Sequence, residues 1–222
     1  MNSVTRKKEI FLEWLRIVGG LLVFAFGVHL TIFANIGLAP WDCLGMGLSY
    51  HSPLNYGLSM TVMSVLILLI DLCLHERIGF GTIIDALLTG NFVQMFNDLN
   101  PFPKNRMIWS GIAIMTVGFV FMALGMFLYM RAAQCCGPRD SLLVGLGKRM
   151  PRIPIGVVQI ILLASALLAG WLLGGPVGIG TLICAFCAGP IMQLAFRTVR
   201  FDATGVRHQR LKDSFKVFAA RN

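Results

Sequence analysis

Long apolar runs alternate with short polar segments along the whole chain. A helix needs roughly 20 apolar residues to cross the hydrocarbon core of a bilayer. Six runs come close to that length: residues 15–34, 57–75, 82–98, 108–130, 155–173 and 181–197. The third run is the more polar, since it includes Asp85 and three amide side chains, and Gly189-Pro190 interrupts the sixth. The pattern predicts an all-α, polytopic membrane protein.

The second half of the chain repeats the first. Pro-Trp-Asp at residues 40–42 returns as Pro-Arg-Asp at residues 138–140. A duplicated unit of this size is typical of half a membrane transporter. The other matched pairs are Gly20 and Gly118, Gly27 and Gly125, Gly47 and Gly145, Gly57 and Gly156, Gly79 and Gly178, Gly81 and Gly180, Thr82 and Thr181, Gly90 and Gly189, and Gln94 and Gln193.

An odd number of spans in each unit forces the second copy to enter the membrane from the opposite side. The sequence therefore predicts two inverted three-helix repeats, residues 15–99 and 108–198. With six spans, every Lys and Arg except Lys104 and Arg106 lies on one side, which the positive-inside rule makes cytoplasmic. Residues 1–14 form a basic cytoplasmic N-terminus. Residues 199–222 form a basic, amphipathic cytoplasmic tail that contacts anionic lipid.

Each repeat contains a shorter segment between its first and second spans, at residues 36–56 and 134–154. Each segment opens with the Pro-x-Asp sequence and continues as a short, apolar stretch punctuated by glycine. It is too short to span the bilayer and too apolar for a solvated loop. A short re-entrant or interfacial helix is therefore expected in each half.

Composition narrows the possible functions. Of the 222 residues 56% are hydrophobic and 13% are charged, and the mean hydropathy is +0.75. The net charge of +9 comes from the ends of apolar runs, so we expect no nucleic-acid partner. The six cysteines are expected to be free, without disulfides. No metal, cofactor or nucleophile–base set is recognisable at a readable spacing, so the chain is not expected to be an enzyme.

Asp42 and Asp140 are the sharpest candidates for function because they recur at equivalent positions. If Ala39 and Gly137 are N-caps, the prolines stand at N1 and both carboxylates at N3, where they would stabilise a helix start. Alternatively, the two helix starts face each other and hold a solute or a proton. Arg139 stands where the first half has Trp41. It would pair with phospholipid, with Asp140 or with a ligand.

Asp85 is an ionisable group inside a span, which indicates function unless it reaches water or caps the helix end. Gln94 and Gln193 would line a pathway or form hydrogen bonds between helices. His29 is expected to be a packing residue, and Asp71 to pair with Arg77. Tight hairpins with a threonine N-cap explain the paired Gly-x-Gly-Thr turns, which are Gly79, Gly81 and Thr82, and Gly178, Gly180 and Thr181.

The motifs resemble those of the YczE/YyaS/YitT-type bacterial integral membrane proteins, in particular the YczE-like branch. They are Gly37-Leu-Ala-Pro-Trp-Asp with Ile78-Gly-Phe-Gly-Thr, and Gly137-Pro-Arg-Asp with Val177-Gly-Ile-Gly-Thr. The similarity covers about residues 15–198 and implies a location in the bacterial cytoplasmic membrane. It implies no mechanism and no catalytic residues. The chain departs from the usual Gly-Pro of the first repeat, where it has Ala39-Pro40.

Two functional hypotheses follow. The first is a small secondary transporter or exporter of an organic solute. The second is an accessory or scaffold protein that acts through its basic cytoplasmic loop, residues 131–154, and its tail. The expected partners are the bilayer, anionic lipid at the cytoplasmic face and an unidentified small solute. A second copy of the chain, in a homodimer, is the remaining candidate partner.

Overall fold

The computed structural model describes residues 3–76, 78–100, 102–130 and 137–198, and every regular element in these ranges is a helix. The tail, and the part of the basic loop at residues 131–136, lie outside the described residues. The helices are α1 (Ser3–Phe33), α2 (Pro40–Tyr50), α3 (Tyr56–Cys73), α4 (Phe80–Leu99), α5 (Ile108–Met130), α6 (Pro138–Arg149), α7 (Ile155–Leu172) and α8 (Ile179–Thr198).

Four stretches in the described ranges are long and apolar enough to cross a membrane. They are Trp14–Phe33 of α1, Tyr56–Cys73, Ile108–Met130 and Ile155–Leu172. These four agree with predicted spans. The helices α4 and α8 have 20 residues each but contain the polar and proline positions that weakened the third and sixth runs. Helix α1 begins at Ser3, so the basic residues 6–8 belong to the same helix as the first span.

The helices α1 and α5 form the centre of the molecule and pack antiparallel along matched glycines. A Cβ atom added at Gly27 would lie 2.6 Å from the carbonyl oxygen of Gly118. One added at Gly125 would lie 2.7 Å from the carbonyl oxygen of Gly20. Only glycine allows the two backbones to approach so closely, as at other helix pairs in membranes. All four glycines belong to the duplicated pattern.

Each half contains one short helix between its first two long helices, as expected. Helix α2 follows the N-cap Ala39 and α6 follows the N-cap Gly137, and each has proline in its first turn. Both N-cap predictions are confirmed. Each short helix also packs across the molecule, because α2 contacts α7 of the second half and α6 contacts α3 of the first. The halves therefore interlock rather than lie side by side.

The hairpins before α4 and α8 differ from the prediction in one respect. Helix α4 begins at Phe80 after the N-cap Gly79, and α8 begins at Ile179, so both helices start earlier than expected. Thr82 and Thr181 consequently lie in the first turn and are not N-caps. The Thr181 hydroxyl instead accepts a hydrogen bond from the backbone N–H of Gly178, at 3.2 Å. The Thr181 side chain therefore bonds to a residue that precedes it in the chain, because the helix already starts at Ile179.

The second hairpin is anchored to the segment between α1 and α2. The backbone N–H of Gly180 donates to the carbonyl oxygen of Ile36 at 2.7 Å, and that of Leu38 donates to Pro176 at 3.1 Å. At Gly37, where φ is +118°, a Cβ atom would lie 2.6 Å from the nitrogen of Gly178. The close approach at this crossing point therefore requires glycine on both segments.

Candidate functional site

The starts of α2 and α6 meet near the middle of the molecule. Trp41 and Arg139, which occupy equivalent positions in the two halves, contact each other. The Arg139 guanidinium carbon lies 5.4 Å from the centre of the Trp41 ring, within the range of a cation–π interaction. Pro-x-Asp sequences at the first turn place both side chains at this junction. We call the junction, with its surrounding carboxylates, the central cluster: Trp41, Asp42, Tyr56, Asp85, Arg139 and Asp140.

Asp42 is buried in the central cluster and bonds to another helix. Its carboxylate accepts a hydrogen bond of 3.1 Å from the hydroxyl of Tyr56, the first residue of α3. Only 4% of Asp42 is exposed. Burial raises the pKa of Asp42, while the charge of Arg139 and the Tyr56 hydrogen bond lower it. No described hydrogen bond joins the carboxylate to its own backbone, so the geometry of Asp42 is that of a link between α2 and α3.

Asp85 and Asp140 approach each other beside Gly137. A Cβ atom at Gly137 would lie 3.3 Å from Asp85 Oδ2 and 3.5 Å from Asp140 Oδ2. Asp85 is half-buried and its Oδ1 accepts a hydrogen bond from the hydroxyl of Thr89, one turn further along α4. Asp140 is exposed. The position equivalent to Asp85 in the second half is Cys184, which is buried.

Arg139 is the cation nearest to these carboxylates. Among the residues that the structure describes, no carboxylate lies within 4 Å of its guanidinium nitrogens, so the predicted pair with Asp140 is not formed. Its described contacts are the Trp41 ring and the sulfur of Met60, 3.8 Å from Nη2. Most of the five guanidinium donors are therefore unused by described protein groups.

A cavity of about 440 Å³ lies beside the central cluster in the first half of the chain. It lies where α1, α2 and α4 end and α3 begins. Tyr56 belongs to both places, because it lines the cavity and donates to Asp42. We call this space the first-half cavity. It is lined by His29, Ile32, Phe33, Met46, Ser49, Leu54, Asn55, Tyr56, Gln94, Asn97, Asn100, Phe102 and Lys104.

The two predicted glutamines have different environments. Gln94 lines the cavity, accepts a hydrogen bond from the backbone N–H of Gly57 at 3.2 Å, and donates to Asp98 at 2.7 Å. The bond to Gly57 joins α4 to α3, which is the interhelical role considered for Gln94. Gln193 is exposed on α8 and has no described hydrogen bond. The structure therefore brings Gln94 close to the central cluster's Tyr56, whereas Gln193 lies exposed on α8.

Other residues singled out by the sequence fall outside the site. Asp71 is fully buried in α3, and neither carboxylate oxygen has a hydrogen-bond partner in the described ranges. Its predicted partner Arg77 lies outside the described residues. His29 is buried and its Nδ1 lies 2.6 Å from Asn97 Oδ1, so it is satisfied by packing and one hydrogen bond. No group of three or more described His, Cys, Asp or Glu side chains is arranged to hold a metal ion.

Sequence reasoning missed most of the polar residues of the first-half cavity. They break the repeat, whereas the search was for residues that obey it. The signal was available as polar positions in one half whose partners in the other half are apolar. The pairs, read with the same offsets, are His29 and Phe127, Ser49 and Gly147, Asn55 and Pro154, Tyr56 and Ile155, Asn97 and Phe196, and Asn100 and Val199.

Comparison with known proteins places the chain among membrane proteins. A family model described as a family of unknown function (DUF6198) matches residues 11–197. The chain is 30% identical to the "Uncharacterized membrane protein YczE" of Bacillus subtilis over 85% of its own length and 87% of that protein's. With its four long apolar helices, the chain is a multi-pass membrane protein.

Two further relatives agree. An "Uncharacterized protein" of Haemophilus influenzae is 31% identical over 78% of both chains. The "Uncharacterized protein YyaS" of Bacillus subtilis is 28% identical over 79% of this chain and 88% of its own. No solved structure matches the chain. The resemblance to the YczE-like branch that the motifs indicated is therefore confirmed.

Proposed function

The chain belongs to the DUF6198 family, and from that premise we propose that it is a small secondary transporter or exporter of an organic solute. The observation that carries the proposal is the polar first-half cavity, which ends at Tyr56 beside the buried carboxylate of Asp42. Polar cavities and ionisable groups are costly inside a membrane protein and mark solute or proton pathways. The proposed location is the bacterial cytoplasmic membrane, with both termini cytoplasmic.

The proposed architecture is two inverted three-helix repeats. It is supported by contacts that recur when the halves are exchanged. Gly20 lies against Gly125 as Gly27 lies against Gly118. Helix α2 contacts α7 as α6 contacts α3. Such exchange of contacts is expected when two similar units are related by a two-fold axis in the membrane plane. In this arrangement α4 and α8 complete the six spans.

In the proposed cycle the central cluster carries the solute or a coupled proton between the two sides. Asp42 and Asp140 stand on the two short helices, and Asp85 stands beside Asp140. Burial favours the neutral form of a carboxyl group, and the nearby Arg139 charge favours the ionised form. If Arg139 moves away, the buried carboxyl group takes up a proton. The Trp41–Arg139 contact joins the two helix starts, which makes it the natural place for a barrier.

A difference in packing between the two halves supports the proposed two-state cycle. Gly57 and Gly90 bring α3 and α4 together, since a Cβ at Gly90 would lie 2.6 Å from the carbonyl oxygen of Gly57. At the equivalent Gly156 and Gly189 a Cβ would meet nothing within 4 Å. One half is thus closed where the other is open. Exchange of these two states would open the pathway alternately to each side.

The orientation can be tested with a membrane-impermeant thiol label on intact cells and on inverted vesicles. Single cysteines replace Ser52, after α2, and Arg152, after α6, in a background with the native cysteines removed. The inverted arrangement predicts that Ser52→Cys reacts from outside and Arg152→Cys only from the cytoplasmic side. Labelling of both from the same side would contradict it.

Transport itself is tested in proteoliposomes loaded with a broad panel of labelled organic acids, amines, amides and sugars. We expect flux of at least one class, lost in Asp42→Asn and reduced at neutral pH in Tyr56→Phe. Tyr50→Phe is the matched control for Tyr56→Phe because Tyr50 is exposed and does not line the cavity. A folded protein that moves no member of the panel would argue against transport.

A further inference from the structure

The hydrogen bonds of the first-half cavity restrict what it can bind. Four carboxamide side chains line it, and the oxygen of each already has a protein partner. Three of these partners are backbone N–H groups, which can only donate, so the oxygen and nitrogen of those amides are assigned without ambiguity. The bonds run to Asn55 from Leu58 N–H (2.9 Å), to Gln94 from Gly57 N–H (3.2 Å), to Asn100 from Phe102 N–H (3.0 Å), and between Asn97 and His29 Nδ1 (2.6 Å).

Each amide oxygen already accepts one hydrogen bond and has one further lone pair, so donors outnumber acceptors among the groups that remain free. The NH₂ groups of Asn55, Asn97 and Asn100 have no partner among the residues that the structure describes, whereas that of Gln94 donates to Asp98. Lys104 adds an ammonium group with no described carboxylate within 4 Å. Donors without partners are stabilised by a ligand that is rich in acceptors.

The acceptors left in the cavity are fewer. The hydroxyl hydrogens of Ser49 and Tyr56 are donated to the carbonyl oxygen of Met46 and to Asp42. Both hydroxyls can therefore offer only lone pairs to a ligand. No carboxylate lines the cavity, and Lys104 is its one side chain of fixed charge among the described residues. Two carboxylates outside the lining already accept hydrogen bonds from it, Asp42 from the Tyr56 hydroxyl and Asp98 from the Gln94 amide.

The remaining walls are apolar. Ile32, Phe33, Met46, Leu54 and Phe102 complete the lining. A volume of about 440 Å³ falls within the range of small-molecule sites. The polar set is confined to the first half, because the equivalent positions of the second half have Phe127, Pro154, Ile155 and Phe196. Donors, one cation and apolar walls together describe a site for an organic anion.

We infer that the first-half cavity binds a small organic solute whose polar end is an oxyanion, a carboxylate or a phosphate ester. The inference rests on the proposed function, since it names the class of solute that the transporter recognises. The oxyanion accepts hydrogen bonds from the amides and from Lys104, and the organic part contacts the apolar walls. The same chemistry could be supplied by the headgroup of an anionic lipid, so the experiment distinguishes the two sources.

The test is isothermal titration calorimetry of the full chain in neutral phosphatidylcholine nanodiscs, with probes that share one skeleton. These are hexanoate, hexyl phosphate, hexanamide and hexylammonium. We expect the two anions to bind at least roughly 10-fold more tightly than the amide and the ammonium, the size expected for charge-assisted hydrogen bonds. Equal or tighter binding of hexanamide or hexylammonium would overturn the inference, as would the absence of anion binding.

Substitutions locate the binding. Lys104→Gln should weaken hexanoate roughly 10-fold, and the matched control Arg106→Gln, in the same loop but not lining the cavity, should leave it unchanged. Asn55→Asp keeps an oxygen for the Leu58 N–H and so preserves the helix cap, but replaces the free NH₂ by a second acceptor. It should weaken hexanoate with an unchanged melting temperature. Equal effects of the two loop substitutions would place the anion elsewhere.

A second nanodisc that contains phosphatidylglycerol separates the two sources of oxyanion. If phosphatidylglycerol weakens hexanoate binding in proportion to its share of the lipid, and excess hexanoate restores binding, a lipid headgroup competes for the cavity. If hexanoate binds equally in both lipids, the ligand is a free solute. Failure of this inference is distinguishable from failure of the proposed function. Flux of an amine and not of an acid would refute the assignment of an anionic solute and leave the transport proposal intact.

Discussion

The pair α3 and α4 in the first half differs from its equivalent, α7 and α8, in the second. In the first half Gly57 and Gly90 bring the two helices into contact. In the second half Gly156 and Gly189 have the same positions in the repeat, yet the space beside them is open. The same motif therefore packs once and stays unpacked once.

The two halves share the glycine contacts between helices but not the polar side chains that line the cavity. The central glycines of α1 and α5 are matched in both halves and used in both. The polar lining of the first-half cavity has no polar counterpart in the second half, apart from Gln94 and Gln193. The matched glycines of α1 and α5 thus serve the architecture, and the polar positions confined to one half are the better candidates for solute recognition.

The largest effect should come from the packed glycines. Gly57→Ala places a Cβ atom 2.7 Å from both the Gly90 carbonyl oxygen and the Gln94 Cβ, so the helices must separate. We expect a loss of ~2–3 kcal/mol in unfolding free energy. Gly156→Ala, also the second residue of its helix, should cost less than ~0.5 kcal/mol. Reversible unfolding in detergent measures both, and equal losses would remove the asymmetry.

A smaller effect is expected at the contact between the cavity and the central cluster. Tyr56→Phe removes the hydrogen bond to Asp42 and leaves the carboxylate buried, at a cost of ~1–2 kcal/mol. Because that bond lowers the pKa of Asp42, its removal raises the pKa, and the pH profile of solute flux should shift to higher pH. Ile155→Leu, at the equivalent position, should change neither stability nor profile. An unshifted profile in Tyr56→Phe would separate Asp42 from transport.

The contact between the two helix starts should contribute less. A double-mutant cycle of Trp41→Leu and Arg139→Gln should give a coupling free energy of ~0.5–1 kcal/mol, typical of a cation–π pair. A control cycle of Trp41→Leu with Arg149→Gln should give none, because Arg149 lies at the far end of α6. No coupling in the first cycle would mean that the halves meet without this contact.

The smallest effect is expected from the tail. Deleting residues 201–222 should change the unfolding free energy by less than ~0.5 kcal/mol and leave flux in proteoliposomes intact, because the cavity and the central cluster lie in residues 29–140. Loss of cellular function with intact flux would favour the accessory or scaffold hypothesis. The comparison of the two halves would then describe the frame of the protein and not its activity.

Much of the frame was predictable because it depends on local physics. The length and apolarity of the runs identified the long spans. The two Pro-x-Asp sequences identified both short helices, with the residue before each proline as the N-cap. The threonine caps were wrong because Gly79 and the turn before Ile179 begin the helices earlier. Of the candidate site, Asp42, Asp85, Gln94, Arg139 and Asp140 were predicted, and the cavity amides of Asn55, Asn97 and Asn100 were not.

By itself the sequence determined that the protein lies in a membrane, that it is duplicated and where its helices are. Hydropathy, glycine spacing and proline act within a single helix or turn. Only the tertiary structure decided that Asp42 bonds to Tyr56 and that Gly57 packs on Gly90 while Gly156 faces open space. These facts depend on which helices become neighbours and how closely they approach. Two identical motifs can meet different neighbours, so their packing is a property of the assembled bundle.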